Sequence, residues 1–296
     1  MNSCYEKKRA HGKPPWLRTK LPRGPVYGRV SQLLQQGELH TVCQKARCPN
    51  QFECFGRGTA TFLLLGEHCS RHCRFCNIDA GPLLPPDSEE PKRVAEAAAA
   101  LGLSHVVLTS VTRDDLEDGG SSAFVATIQA LRKVLPHASV EVLIPDFMGC
   151  ATSLTAVLNA GPDVLNHNME TVRRLYPEVR PEALYERSLE LIRRVYARGA
   201  MPAKSGIMLG LGEEDGEIEE TLKDIYRAGC RMLTIGQYLQ PSPAHMEVRR
   251  FVPPDVFDFW KTAALSMGFQ SVASGPFVRS SYHAGDDFKR LKKQQE

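Results

Sequence analysis

Between Cys43 and Cys76 the chain reads CQKARCPNQFECFGRGTATFLLLGEHCSRHCRFC, and this stretch holds six of the nine cysteines in a sequence of 296 residues. They form two triplets. Cys43, Cys48 and Cys54 are spaced C-x4-C-x5-C, and Cys69, Cys73 and Cys76 are spaced C-x3-C-x2-C, with the apolar run Thr61 to Leu65 between them. Three cysteines on a tight loop do not close a four-coordinate site, so each triplet needs a further ligand from elsewhere. Structural zinc fills its shell, commonly from pairs such as C-x2-C, whereas thiolate triplets suit iron–sulfur clusters. An iron left without a protein ligand is an open position, and open positions are where metal sites do chemistry. An odd cysteine count crowded into one segment also favours metal binding over a disulfide framework. Cys4, Cys150 and Cys230 have no spaced partners and read as small apolar side chains for burial.

At 296 residues the chain can bury a large core, as one α/β barrel or as two smaller domains. A hydrophobic content of 42% with 24% charged residues is ordinary for a soluble enzyme, and a net charge of +3 argues for neither nucleic acid nor a membrane surface. No apolar run is long enough to span a bilayer. The N-terminus MNSCYEKKRAHGKPPW has no apolar signal core and is short for a transit peptide, so the expectation is a reducing cytoplasm.

Residues 1–25 are basic and rich in proline and glycine and read as an extended arm, with Trp16 and Leu17 tacking it to the body. Residues 26–58 form the segment of the first triplet, entered through a brief helix at 26–36. From Thr59 short runs rich in Val, Ile and Leu alternate with stretches of helical periodicity, to about residue 270. Strands are expected at 59–65, 105–109, 140–144, 163–167, 204–209 and 232–236, with a short last one at 271–274. Helical faces are expected at Phe124, Ile128, Leu131 and Leu135, at Tyr185, Leu189, Ile192 and Tyr196, and at Ile218, Leu222 and Ile225, followed by a helix over 255–267. Strict alternation implies parallel strands and right-handed crossovers. The fold class is therefore α/β, a partial (β/α)6-type parallel barrel with N-terminal and C-terminal extensions. Polar motifs follow each strand: the second triplet, TSVTRDD, IPDF, NHNMET, GLGEE and QYLQPS. In a parallel barrel they share the rim that carries active sites.

Phe75 before Cys76 makes the second triplet C-x3-C-x-F-C, which resembles that of the radical S-adenosylmethionine enzymes. The resemblance implies a [4Fe-4S] cluster on Cys69, Cys73 and Cys76 whose free iron chelates S-adenosylmethionine, so that reduction releases a 5'-deoxyadenosyl radical. The fragments CPNQFECF, GTATFLLLG, VVLTSVTRDDLEDGG, VEVLIPDF, PDVLNHNMETV, KSGIMLGLGE, LTIGQYLQPS and GPFVRSSYHA, in this order, are similar to the lipoyl synthase family from about Lys13 to His283. Gln51, where an apolar residue is expected, is a minor departure.

That resemblance implies a second, auxiliary [4Fe-4S] cluster on Cys43, Cys48 and Cys54. Its missing ligand is a serine of Arg279-Ser280-Ser281-Tyr282, and we read it as Ser281. An oxygen ligand binds more weakly in soft iron–sulfur chemistry, which suits a cluster meant to be taken apart. The implied enzyme is a sulfurtransferase that inserts sulfur at C6 and C8 of an octanoyl chain on a carrier lysine, with the auxiliary cluster supplying the sulfur. The implied partners are octanoylated lipoyl carrier domains, such as the E2 subunits of 2-oxoacid dehydrogenases and the glycine cleavage H protein, and an electron donor such as ferredoxin or flavodoxin. Nucleic acid and membrane are not expected.

By position, Asn168 and Glu170 after the fourth strand and Lys204 at the head of the fifth are candidate contacts for S-adenosylmethionine. Glycines 206, 210 and 212 would allow close approach or simply make turns. His68 and His72 beside the second triplet invite a zinc reading, which the all-cysteine pattern disfavours. The basic tail at 289–293 reads as a solvated, disordered end. A biotin synthase-like sulfur inserter lacks the combination of first triplet and RSSY, and a ferredoxin-type electron carrier has no use for so large a scaffold.

Overall fold

The computed structural model describes residues 13–18 and 25–295, so most of the expected N-terminal arm and Cys4 lie outside the described residues. Of the arm's two anchors, Leu17 is buried while Trp16 is exposed. One eight-stranded sheet organises the rest, in the order β1 to β8. Its strands are β1 (His40–Thr41), β2 (Thr61–Leu64), β3 (His105–Ser110), β4 (Ser139–Leu143), β5 (Val164–Asn166), β6 (Ala203–Leu209), β7 (Met232–Gln237) and β8 (Ser271–Gly275). β2 to β8 are parallel in sequence order, and the edges β1 and β8 do not pair, so the barrel is partial. All seven expected strands are present.

The strand that sequence reading missed is β1, which pairs antiparallel with β2 through His40 to Leu63 and Thr41 to Phe62. Two residues carry no readable period. They matter because Thr41, fully buried, accepts a hydrogen bond from Gln44 N at 3.3 Å and starts the short helix containing Cys43.

The register separates two faces. Phe62, Leu108, Val142 and Leu165 lie side by side in one row and join the main core under the helices, each contributing roughly 1.5–3 kcal/mol by burial. Thr61, Val107, Glu141 and Val164 form the neighbouring row, which faces the barrel interior. There Lys204 Nζ donates to Glu141 Oε1 at 2.8 Å with both side chains buried, and His105 Nε2 lies 3.6 Å from Glu141. A buried cation is tolerated here because the carboxylate pairs with it.

The helices are α1 (Pro25–Gln36), α2 (Val42–Lys45), α3 (Gln51–Gly56), α4 (Glu90–Ala100), α5 (Ser121–Val134), α6 (Ala151–Asn159), α7 (Tyr176–Val179), α8 (Tyr185–Arg198), α9 (Asp215–Arg227), α10 (Pro254–Met267) and α11 (Ala284–Gln295). α10 begins at a proline and stops at Gly268, whose φ of 107° ends the helix. Phe124, Ile128, Leu131, Ile218, Leu222 and Ile225 are buried as their spacing requires, but Tyr196 is exposed, lying over Arg231 at 5.3 Å instead of in the core.

The C-terminal tail is not a disordered end. α11 turns Phe288 and Leu291 into the barrel, where they pack on Val164 and Met232 in a small core of their own. Its basic residues Lys292 and Lys293 occupy the last turn, where they complement the helix dipole and hide the apolar face from a reading by charge alone.

Where β5 leads to the rim, His167 is buried and bridged on both ring nitrogens, to Ile144 O and Ser188 Oγ at 2.9 Å each. Nδ1 must donate to the carbonyl, so neutral Nε2 accepts from Ser188, whose oxygen in turn accepts from Tyr176 Oη at 2.9 Å. Burial pushes the imidazole down to about 4. The unfolded chain then takes up a proton near pH 6.5 that the folded chain refuses. Stability is lost as pH falls from about 6.5 to 4, by roughly 3 kcal/mol in all. Urea unfolding of the cluster-free protein across that window checks this: His167→Gln should flatten the decline, and an unchanged slope would contradict it.

Candidate active site

The second triplet leaves β2 through Leu65 and Gly66, both at positive φ, and winds as a loop without helix over the barrel rim. Backbone donors face its sulfurs: Arg71 N and Thr112 N lie 3.4 and 3.3 Å from Cys69 Sγ, and Ile78 N lies 3.5 Å from Cys76 Sγ. Burial pushes Cys73 up to about 11 and Cys76 up to about 12, and the charges of neighbouring triplet thiolates push the same way. Thiols gathered so are poorly suited to ionise alone and well suited to a cationic iron cluster that neutralises them. No three His, Cys, Asp or Glu side chains among the described residues converge on a single metal ion. A four-iron cluster asks instead for spread thiols, each with its own iron.

A residue missed by sequence reasoning holds this loop. Arg71, between Cys69 and Cys73, is 2% exposed along its side chain. Its Nε and Nη2 donate to Asp114 at 2.6 and 2.9 Å, and Nη2 also to Asp146 at 2.5 Å. Arg187 Nη1 reaches the other oxygen of Asp146 at 3.1 Å. The loop of the second triplet is thereby tied to the loops after β3 and β4. The only sequence signal was that TSVTRDD and IPDF place carboxylates on the same rim. Beyond Asp146, Phe147, Met148 and Gly149 run consecutively at positive φ, strain that the Asp146 network holds in place.

After β5, Glu170 stands at a φ of 67°, pinned by a parallel bridge to Ile207. Its carboxylate is pushed up by burial, opposed by Arg180, and it accepts from Asn168 Nδ2 at 3.0 Å. Asn168 Oδ1 and Arg180 Nε are buried without hydrogen-bond partners among the described residues. Gly206 makes room there, because a Cβ would lie 2.4 Å from Thr234 Oγ1 and 3.0 Å from Asn168 Oδ1. Gly210 and Gly212 serve a turn, their N–H groups and that of Leu211 donating to the Glu213 carboxylate at 2.6, 3.1 and 2.9 Å. Lys204 departs from expectation. It is the second residue of β6, near the end of the strand opposite the rim, and its ammonium is committed to Glu141.

The first triplet lies on and around α2 and α3. Burial pushes Cys43 up to about 11 and Cys54 up to about 12, and raises Cys48 against the opposing charge of Arg279. Cys43, Cys54, Thr61 and Ser281 line one cavity of about 280 Å³. The two serines of RSSY separate here: Ser281 faces that cavity, while Ser280 Oγ accepts from Asn168 Nδ2 at 2.6 Å. This segment comes close because Gly236 of β7 lacks a Cβ, which would lie 2.2 Å from Val278 O.

A family model for the radical SAM superfamily matches residues 63–225, and one for the N-terminal domain of lipoyl synthase matches residues 2–48. A lipoyl synthase of Desulfotalea psychrophila is 54% identical over 280 residues, covering 94% of each chain. Another, of Nitratidesulfovibrio vulgaris strain Hildenborough, is 53% identical over 278 residues, 94% of this chain and 93% of the other. The chain belongs to the lipoyl synthase family. Among known structures, Streptococcus suis SuiB bound to S-adenosylmethionine superposes with a TM-score of 0.59 at 10% identity, over 71% of this chain and 49% of that one. HydG, a maturase of the [FeFe]-hydrogenase, superposes with a TM-score of 0.51 at 14% identity, over 88% of this chain and 74% of that one. At these identities the likeness shows the fold alone.

As a lipoyl synthase family member the chain is an enzyme of sulfurtransferase type and a radical SAM protein, and no described helix is long and apolar enough to cross a membrane. The remaining cysteines divide. Cys230 is buried, its thiol donating to Met232 O at 3.1 Å. Cys150 is not the apolar filler expected: its sulfur lies 3.0 Å from Thr152 Oγ1 at the start of α6, and hydrogen bonds from Ser153 and Thr152 lower it to about 7. His72 points into solvent beside Glu182, at 3.1 Å, so the structure does not join it to the neighbouring cysteines.

Proposed function

We propose that Cys69, Cys73 and Cys76 hold the cluster that binds S-adenosylmethionine, and that Cys43, Cys48, Cys54 and Ser281 hold an auxiliary [4Fe-4S] cluster. In this reading residues 26–58 and 271–296 together build the auxiliary site around the 59–270 barrel. When bound, these groups supply hydrogen abstraction from unactivated carbon and a source of sulfur, which acid–base chemistry cannot replace where no proton is acidic.

The chain's own work is placement. Glu170 and Asn168 present a carboxylate and an amide beside the second triplet, suited to an amino group and a ribose. Arg180, with its free Nε, suits an anionic group in the same space. Soft thiolates and one hard hydroxyl form an uneven donor set at the first triplet, which leaves the oxygen-bound corner easiest to release. The substrate is an octanoyl chain on a carrier-domain lysine, as on 2-oxoacid dehydrogenase E2 subunits or the glycine cleavage H protein. A small ferredoxin or flavodoxin supplies electrons.

The observation that carries this reading is the split of adjacent serines, Ser281 into the cavity lined by Cys43 and Cys54 and Ser280 toward Asn168, whose partner Glu170 neighbours Cys73. It spans both cysteine sets with one segment. The test is anaerobically reconstituted protein with reductant, S-adenosylmethionine and an octanoyl-lysine peptide. We expect 5'-deoxyadenosine together with a peptide that gains two sulfurs and loses two hydrogens. Deoxyadenosine with an unchanged peptide would refute the substrate assignment.

A further inference from the structure

The geometry points to Glu53 as the positioning residue that holds Ser281 against the first triplet, an inference that rests on the auxiliary-cluster reading above. Glu53 lies in α3, between Cys48 and Cys54 in sequence. Its two carboxylate oxygens accept from Tyr282 Oη at 3.1 and 2.9 Å, and Oε1 lies 3.0 Å from His283 Nε2. One side chain of the cysteine segment thus grips both residues that follow Ser281. Arg57, one helical turn along, closes the ring with Nη1 3.1 Å from the His283 ring and Nη2 3.5 Å from Asp286.

Ser281 needs this hold. Its hydroxyl makes no hydrogen bond among the described residues, so its neighbours decide where it points. The Tyr282 and His283 rings touch in a tilted arrangement, centroids 4.1 Å apart and planes at 59°, and His283 stands at a φ of 55°, a conformation that costs energy outside glycine and persists where contacts over-determine it. Asn50 adds a second tie, Nδ2 donating to Phe277 O at 2.6 Å, but it acts before Ser281 and leaves the far side to Glu53.

The clasp is also partly open to water, with the Glu53 and Arg57 side chains 48% and 51% exposed. Exposed polar contacts hold modestly and open without global unfolding. Such a hold fits a ligand that must seat itself when the cluster is whole and let go when it is taken apart.

The experiment uses the full chain with Cys69, Cys73 and Cys76 replaced by alanine, so that only the first triplet binds iron. Iron release to a chelator and the Mössbauer signature of the oxygen-bound iron are followed. In parallel, hydrogen exchange across residues 279–284 is measured in the cluster-free wild-type chain and in the same clasp variants. Glu53→Ala should speed iron release about tenfold, the loss of one or two hydrogen bonds to a charged group. It should also raise exchange in that segment and weaken the oxygen-ligand signature. Glu53→Gln, which still accepts from Tyr282, and Tyr282→Phe should fall between Glu53→Ala and the parent, and they keep the test decisive if the alanine variant folds poorly. If Ser281→Ala speeds release while the Glu53 and Tyr282 variants behave as the parent, the clasp is overturned and the auxiliary reading stands. If Ser281→Ala changes neither release nor signature, the ligand assignment itself falls.

Discussion

Cys73→Ala is expected to abolish 5'-deoxyadenosine formation, whereas Cys48→Ala should leave it intact and stop sulfur insertion into an octanoyl-lysine peptide. The two cysteines sit in separate environments. Cys73 shares its surroundings with Cys69, Arg180 and Glu170, on the rim after β2, while Cys48 stands beside Arg279 at the segment that carries Ser281. Each triplet has three thiols and none to spare, so removal of one leaves too few ligands for a cluster. The chemistry divides because the two cysteine sets sit in separate surroundings, and neither substitution touches the Asn168 and Ser280 contact between them. Assaying deoxyadenosine and peptide mass in the same reaction separates the roles. Lipoylated product from Cys48→Ala would remove the first triplet from the reaction.

Arg71→Met is the second large effect. The arginine is the cation of a buried network, with the Asp146 side chain fully buried and Asp114 23% exposed. Removing it leaves, among the described residues, Asp146 with Arg187 alone and Asp114 with no cation. Breaking a buried pair in this way costs on the order of 3–5 kcal/mol, more than deletion of most surface ion pairs. The same change frees the loop carrying Cys69 and Cys73 from the loops after β3 and β4. We therefore expect a lower urea midpoint for the cluster-free chain. In a Cys48→Ala background, where only the second triplet holds its cluster, we expect less iron per chain. Arg71→Lys keeps the charge but not the forked geometry and should recover only part of the loss. Unaltered unfolding in Arg71→Met would show that the network contributes nothing.

Local signals were strong where one residue type or one period decides an outcome. The C-x3-C-x-F-C spacing, the apolar runs at β3, β4, β6 and β7, and the buried faces of α5 and α9 needed no partner to be recognised. β1 was illegible because two residues cannot show a period, and α11 because its charged residues mask Phe288 and Leu291, whose partners come from β5 and β7. Lys204 illustrates the converse. Its position in the KSGIML run suggested a ligand contact, but that Glu141 lies opposite and takes up its ammonium depends on strand order and register.

The sequence by itself determined the two cysteine triplets, the alternation of strand and helix, and the family, because each is a matter of spacing along one chain. Only the tertiary structure decided that Ser280 turns to Asn168, which arginine holds the second triplet, and that Glu53 meets Tyr282 and His283 across 229 and 230 positions of sequence. Those contacts join elements that sheet order brings together. Side-chain direction, unlike spacing, is fixed by packing against neighbours far away in the chain.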